Sequence, residues 1–223
     1  MHSLRRTLIR SLALALLASL PTVIAAQGGG RMPGWKVAFD RSGIPDTAVS
    51  MGAMAPGWHV NALSGAPGAI AYDASLVAQK TFKLESEIFY FADGAGAGAG
   101  LMIAGRALDT QAPRFVAFTV FPDGRFSIVR MAGAQREVLT PPTREAAINK
   151  HPGGKANVKN VLAIEGDEKW VTFKVNGVKA AQLPRAVVDA GGGVVGLRLE
   201  PGVNAHIATF QLDGRNVAPV ATK

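Results

Sequence analysis

The chain has 223 residues, 48% hydrophobic and 18% charged, with 26 Gly, 13 Pro and no Cys. The Gly and Pro content is above the usual roughly one residue in eight, which favours turns and strands and excludes a coiled coil. The missing Cys excludes a disulfide scaffold, a Cys-based zinc site and a thiol nucleophile.

Residues 1–26 read as an export signal rather than structure. Arg5, Arg6 and Arg10 form a basic start, and Ser11 to Leu20 is apolar but too short to span a bilayer. Small residues follow, placing cleavage after Ala25 or Ala26. The run Arg5-Arg6-Thr7-Leu8-Ile9-Arg10 also fits the twin-arginine pattern, so Sec and twin-arginine export both stay open. The expected location is periplasmic or secreted, without a lipoprotein Cys or a later membrane span. Setting the signal aside lowers the formal charge from +8 to +5. The remaining Lys and Arg are scattered among acids, so no nucleic-acid footprint is expected.

After a flexible segment at 27–34, turn signals recur about every 8–15 residues, as in a sandwich or barrel. Strands are expected near Lys36–Asp40, His59–Ala62, Ala69–Tyr72, Phe82–Phe91, Leu101–Ala104 and Arg114–Phe121. Further ones are expected near Arg125–Met131, Asn160–Glu165, Trp170–Val175, Lys179–Leu183, Gly193–Leu199 and His206–Leu212. Between the strands at Phe82–Phe91 and Leu101–Ala104, the low-complexity run Gly94 to Gly100 is a loop or hairpin rather than a domain boundary. Pro122-Asp123-Gly124 is a turn, and Asn176-Gly177 is the favoured pair for a two-residue hairpin. Val171, Phe173 and Val175 alternate with Trp170, Thr172 and Lys174, which gives that strand one apolar face. Arg114–Phe121 is apolar on both faces and is expected mid-sheet. One helical turn is expected at Arg144–Lys150. The fold class is therefore all-β, a two-sheet antiparallel sandwich over 35–214 with a tail at 215–223.

The segments Asn160-Val161-Leu162-Ala163-Ile164-Glu165 and Val171-Thr172-Phe173-Lys174-Val175-Asn176-Gly177 carry a resemblance. So do Gly196-Leu197-Arg198, Ala208-Thr209-Phe210-Gln211-Leu212 and, earlier, Gly57-Trp58-His59, Ala69-Ile70-Ala71-Tyr72 and Phe82-Lys83-Leu84. Together with the hairpin Phe121 to Phe126, their order resembles the jelly rolls of the concanavalin A-like lectin/glucanase superfamily. Laminin-G-like modules and 3-keto-disaccharide hydrolase domains are the nearest patterns. The resemblance implies a jelly roll that binds carbohydrate or another extracellular polymer, with no required cofactor. A structural calcium is carried by many such jelly rolls, and Asp40 and Asp213 are the candidate ligands. The departures concern chemistry: Gly94 to Gly100 stands where the hydrolase domains carry Asn-Ser-Gly, and the glucanase Glu-x-Asp-x-Glu strand is absent.

The candidate binding residues are Trp58, His59, Tyr72, Trp170 and Arg198, because sugar sites combine aromatic platforms with hydrogen-bonding groups. Asn61 and Asn160 are further polar companions. The competing reading is a sugar-active hydrolase with Glu85 and Glu87 as its carboxylates, two residues on one strand face about 6–7 Å apart. Lys83 shares that face, so a solvated ion-paired surface explains the same residues. His59, His151 and His206 show no metal-ligand spacing in the sequence.

Overall fold

A computed structural model describes residues 32–91, 96–188 and 192–218. The expected export signal, the start of the Gly/Ala run and the end of the C-terminal tail lie outside them. In chain order, β1 spans Trp35–Phe39, β2 Val49–Ala53, β3 Trp58–Ala62, β4 Ala69–Ala78 and β5 Phe82–Tyr90. Next come β6 Ala99–Arg106, β7 Arg114–Val120, β8 Arg125–Ala132, β9 Gln135–Arg144 and β10 Val158–Gly166. The last are β11 Trp170–Val175, β12 Val178–Pro184, β13 Gly193–Leu199, β14 Asn204–Leu212 and β15 Arg215–Asn216. They form two antiparallel sheets. One is ordered β1-β4-β13-β6-β7-β8-β9; the other is ordered β12-β11-β10-β5-β14-β3-β2, with β15 beside β14.

The inner faces meet in one apolar core, as strict alternation requires of two amphipathic sheets. Trp35 packs against Trp58 with ring centroids 4.9 Å apart and edge-on to Phe210 at 5.5 Å. Phe118 of β7 meets Phe173 of β11 at 5.3 Å, which ties the sheets at the other side. Val171, Phe173 and Val175 all point inward and are fully buried, as their alternation predicts. β7 lies between β6 and β8 and is buried on both faces beyond Arg114.

Local turn chemistry sets the hairpins. Asn176 (φ 50°) and Gly177 (φ 81°) both take the left-handed backbone that a type I′ turn needs, joining β11 to β12. The Asn176 side chain also accepts from the Val161 amide and donates to the Ala147 carbonyl and Asn160 Oδ1. Asn160 is fully buried and bonds both backbone groups of Asn149, so it anchors the long connection after β9 rather than facing a ligand. The helical turn expected at Arg144–Lys150 is instead a non-helical turn, held by bonds from the Ile148 amide to the Glu145 carbonyl and from the Glu145 amide to the Gly124 carbonyl. Helical geometry occurs in a 3-10 turn at Asp46–Ala48 and in the four-residue α1, Arg185–Val188. No helix among the described residues is long and apolar enough to cross a membrane.

Candidate functional site

The outer face of the seven-stranded sheet carries a second apolar cluster. Alternation turns Ile70, Tyr72, Met102, Phe115, Ala117, Val129 and Met131 away from the inter-sheet core, yet all are buried. The loop between β6 and β7 contributes to that burial. Its Leu108 packs into the cluster, and its Asp109 accepts hydrogen bonds from the Tyr72 hydroxyl (2.5 Å) and Lys36 Nζ (2.8 Å). The bonds from Lys36 and Tyr72 hold the Asp109 carboxyl below the usual carboxylate range. Burial, and next the bond to Asp109, push the Tyr72 phenol well above its ordinary value.

This bracing leaves a cleft of about 980 Å³ between the β1 side and the loop. Its polar lining includes Lys36, Asp40, Arg41, Tyr72, Asp109 and Gln111, with Gly133 and Ala134 of the β8–β9 turn also lining it. Beside the cleft, Arg198 is buried with its guanidinium fork on both oxygens of Asp40 (2.6 and 2.7 Å) and its Nε on Glu200 (3.0 Å). Burial alone would lower the Arg198 pKa, but the Asp40 and Glu200 partners outweigh it and raise it. Gly68 leaves the space: a Cβ there would come within 2.0 Å of Arg198 Nη2.

The residues singled out from sequence are therefore dispersed. Tyr72 lines the cleft, and Arg198 stands beside it as the clamp on Asp40. Trp58 is fully buried against Trp35 and so presents no platform to solvent, because its β3 alternation faces the core. Trp170 is 42% exposed but begins β11 in the other sheet. Glu85 and Glu87 do share the outer face of β5, and each is ion-paired, to Lys83 (2.9 Å) and Lys159 (3.3 Å). Neither lines the cleft. Asp40 follows β1 and Asp213 follows β14, strands of different sheets, and Asp213 accepts the Lys83 amide hydrogen instead. Among the described residues, no group of three or more His, Asp and Glu could hold a metal ion.

Two arrangements escaped the sequence. Asp109 and Lys36 meet across a long separation, and a lone Asp in a loop carries no signal of its partner. His59 and His206, read separately as isolated residues, are direct cross-strand neighbours in β3 and β14. His59 stacks near Phe91 (5.5 Å) and His206 near Phe89 (5.9 Å). Burial, with His59 as a smaller cause, pulls the His206 pKa below its ordinary value, although bonds to the Pro56 and Trp58 backbone and the charge of Glu87 oppose this.

No protein-family model and no curated protein matches the sequence. Solved structures do match. A carbohydrate-binding module of family 66 from Bacillus subtilis aligns with TM-score 0.56 at 12% identity, covering 81% of this chain and 95% of that one. A Bacillus subtilis protein of unknown function with a galectin-like fold aligns at 0.59 and 9% identity, covering 83% and 90%. A Bacteroides ovatus mixed-linkage glucan glycoside hydrolase of family 16, in complex with an oligosaccharide product, aligns at 0.56 and 10% identity, covering 84% and 98%. The chain has the concanavalin A-like jelly-roll fold. Identities this low speak for the fold alone, since one fold hosts many activities. The chemistry has to come from the chain's own residues. In the cleft, each of the carboxylates Asp40 and Asp109 is held by a cation, and Asp109 by a phenol as well.

Proposed function

We propose that the protein is an exported, non-catalytic glycan- or polymer-binding jelly roll, acting in the periplasm or after secretion. The observation that carries this reading is the cleft over the outer face of the seven-stranded sheet. At about 980 Å³ it lies at the upper end of the range that ligand sites occupy, roughly 300–1,000 Å³. Its walls offer hydrogen-bonding groups that sugars need, the charged pair at Lys36 and Asp109 and the amide of Gln111, beside Tyr72, whose buried ring braces Asp109 through its hydroxyl. The comparable folds of a carbohydrate-binding module and a glucan hydrolase support glycan as the ligand class.

The carboxylates favour binding over hydrolysis. A glycosidase needs two carboxyl groups facing the scissile bond with distinct proton affinities. Of the three carboxylates lining the cleft, Asp40 has both oxygens on Arg198 and Asp109 is hydrogen-bonded by Lys36 and Tyr72, so two are already committed to partners of the chain itself. Glu85 and Glu87 sit together on one strand of the opposite sheet among lysines, on the same side of any chain that reached them.

The test is a polysaccharide panel probed with the mature chain from Gln27, beside Lys36→Ala, Gln111→Ala and Trp170→Ala. Retention of one or more polysaccharides, weakened by the first two substitutions and unaltered by the third, is the expected result. Binding that follows Trp170 alone would move the site to the other sheet. No binding, or release of reducing ends from a bound substrate, would overturn the reading.

A further inference from the structure

We propose that the free edge of β1 docks an extended peptide, added antiparallel as one more strand of its sheet and carrying an acidic residue at its N-terminal end. The proposal goes beyond the glycan reading, because it assigns the backbone wall of the cleft to a second class of ligand.

β1 ends its sheet and pairs with β4 alone. In an antiparallel pair, residues bonded to the partner strand alternate with residues that are not. The Asp40 amide donates to the Gly68 carbonyl at 2.9 Å, so the register makes Lys36, Ala38 and Asp40 the residues bonded toward β4. Trp35, Val37 and Phe39 therefore turn their N–H and C=O groups away from it. The Trp35 amide bears this out by donating to the Met32 carbonyl instead. Val37 and Phe39 have no backbone partner on that side among the described residues. Proteins guard such edges with proline or free charge. β9 carries Pro141 and Pro142, and β12 carries Lys179 and Pro184. β1 has no Pro, and its one charged residue, Lys36, is drawn onto Asp109.

The cleft follows this edge. Every residue from Lys36 to Ile44 lines it, Val37 and Phe39 included. Both of these pack their side chains on the inter-sheet core, so what they offer the cleft is backbone. The complement of such a row of amides and carbonyls is another strand. Size then selects the occupant. A strand residue fills about 160 Å³, taken from its rise, the strand spacing and the sheet spacing. A cleft of about 980 Å³ thus holds about six residues, which is a segment and not a second folded copy. Its pattern follows from the walls. Residues opposite Val37 and Phe39 meet half-buried apolar side chains, whereas those opposite Lys36, Ala38 and Asp40 share the outer face and suit Thr. Of the charged residues lining the cleft, Lys36, Asp40, Asp46 and Asp109 are engaged. Arg41, exposed just past the strand, has no ion-pair partner among the described residues. An antiparallel peptide brings its N-terminal end to Arg41, where an acidic residue supplies the counter-charge.

The experiment titrates the mature chain from Gln27 with the capped peptide Glu-Thr-Val-Thr-Val-Thr, following affinity and amide hydrogen exchange. Without peptide, the Val37 and Phe39 amides should exchange fast and those of Lys36 and Ala38 slowly; peptide should slow the first two. Methylating both Val amides of the peptide should weaken binding at least about tenfold, because those two residues face Val37 and Phe39 in the ladder. Val37→Pro should do the same while leaving the β4 ladder intact, since proline is tolerated where the lost N–H faces away from the sheet. If that variant fails to fold, the exchange and methylated-peptide measurements still decide. Gln in place of the peptide's Glu should bind more weakly to the parent and no more weakly to Arg41→Gln. No binding, equal binding of the methylated peptide, or unslowed exchange at Val37 and Phe39 would overturn the edge assignment. So would slow exchange there without peptide, which would mean that the chain itself or a second copy already holds the edge. Equal binding of the Glu and Gln peptides to the parent would overturn the acidic end. Peptide bound with no polysaccharide retained leaves the edge standing and removes the glycan reading; polysaccharide retained with no peptide bound does the reverse.

Discussion

Arg198 is the residue whose environment is most tightly determined. Its guanidinium lies among the outer-face side chains of β13 with Asp40 and Glu200 as its partners, and Gly68 is small because that group needs the space. Removing one member of a buried ion pair costs roughly 3–5 kcal/mol, mostly through the charge left unpaired. The side chains of Asp40 and Glu200 retain 20% and 24% exposure, so water relieves part of that penalty. Arg198→Met should therefore destabilise by about 2–3 kcal/mol, read as a lower urea midpoint at unchanged slope. Tyr72→Phe is the milder companion. It deletes one charge-assisted bond to an exposed Asp109, at about 1 kcal/mol. Its clearer signature should be faster hydrogen exchange at the 108–112 amides, because the loop loses one of its two anchors. Unchanged exchange there would mean that Leu108 packing and the Lys36 bond suffice to hold the loop.

At the level of elements, strands whose pattern and turns agree were readable, and of the four edge strands β1 and β12 were expected while β9 and β2 were not. Trp170–Val175 and Gly193–Leu199 match their expected bounds, since each alternates cleanly against one core. β9 was missed because Pro141 and Pro142 argue against a strand; it forms as an edge, paired to β8 only, where a missing amide donor is tolerated. β2, another edge, is five residues long, and Gly52 weakens its pattern. The expected helix at 144–150 failed for a related reason. Side-chain amides, not a helical ladder, satisfy the backbone there: Asn160 Oδ1 takes the Asn149 amide and Asn176 Nδ2 caps the Ala147 carbonyl. Asn160→Leu should strand these buried groups and cost about 2–3 kcal/mol. Proteolysis or hydrogen exchange confined to 145–151 would locate the damage, whereas global loosening would show that the network supports the whole sheet.

For the whole molecule, the fold was legible from periodicity and turns, but the cleft was not. Its polar wall arises where a loop after β6 crosses to β1, and a contact between Asp109 and Lys36 depends on the order of strands in the sheet rather than on local pattern. Trp58 and Tyr72 illustrate the difference: both looked like platforms, yet one completes the core while the other floors the cleft. The same burial gives the folded molecule a global pH signature. The chain contains only two tyrosines. Tyr90 is enclosed in the core, where burial raises its pKa despite the bond its hydroxyl donates to the Ala99 carbonyl, and Tyr72 is raised as well. A phenol whose folded pKa is raised contributes its full stabilisation below its unfolded value near 10; as pH rises past that value the unfolded chain ionises and the folded one does not. Tyr90 alone should then remove about 1.4 kcal/mol of stability for each pH unit above about 10, with Tyr72 acting in the same direction. A spectrophotometric titration at a tyrosinate wavelength should accordingly show no phenol step while the protein stays folded. Absorbance should rise only together with the loss of β-sheet circular dichroism. A reversible step near pH 10 in the folded protein would show that one ring reaches water, and Tyr72→Phe would identify which: if the step vanishes, the loop over the cleft opens in solution.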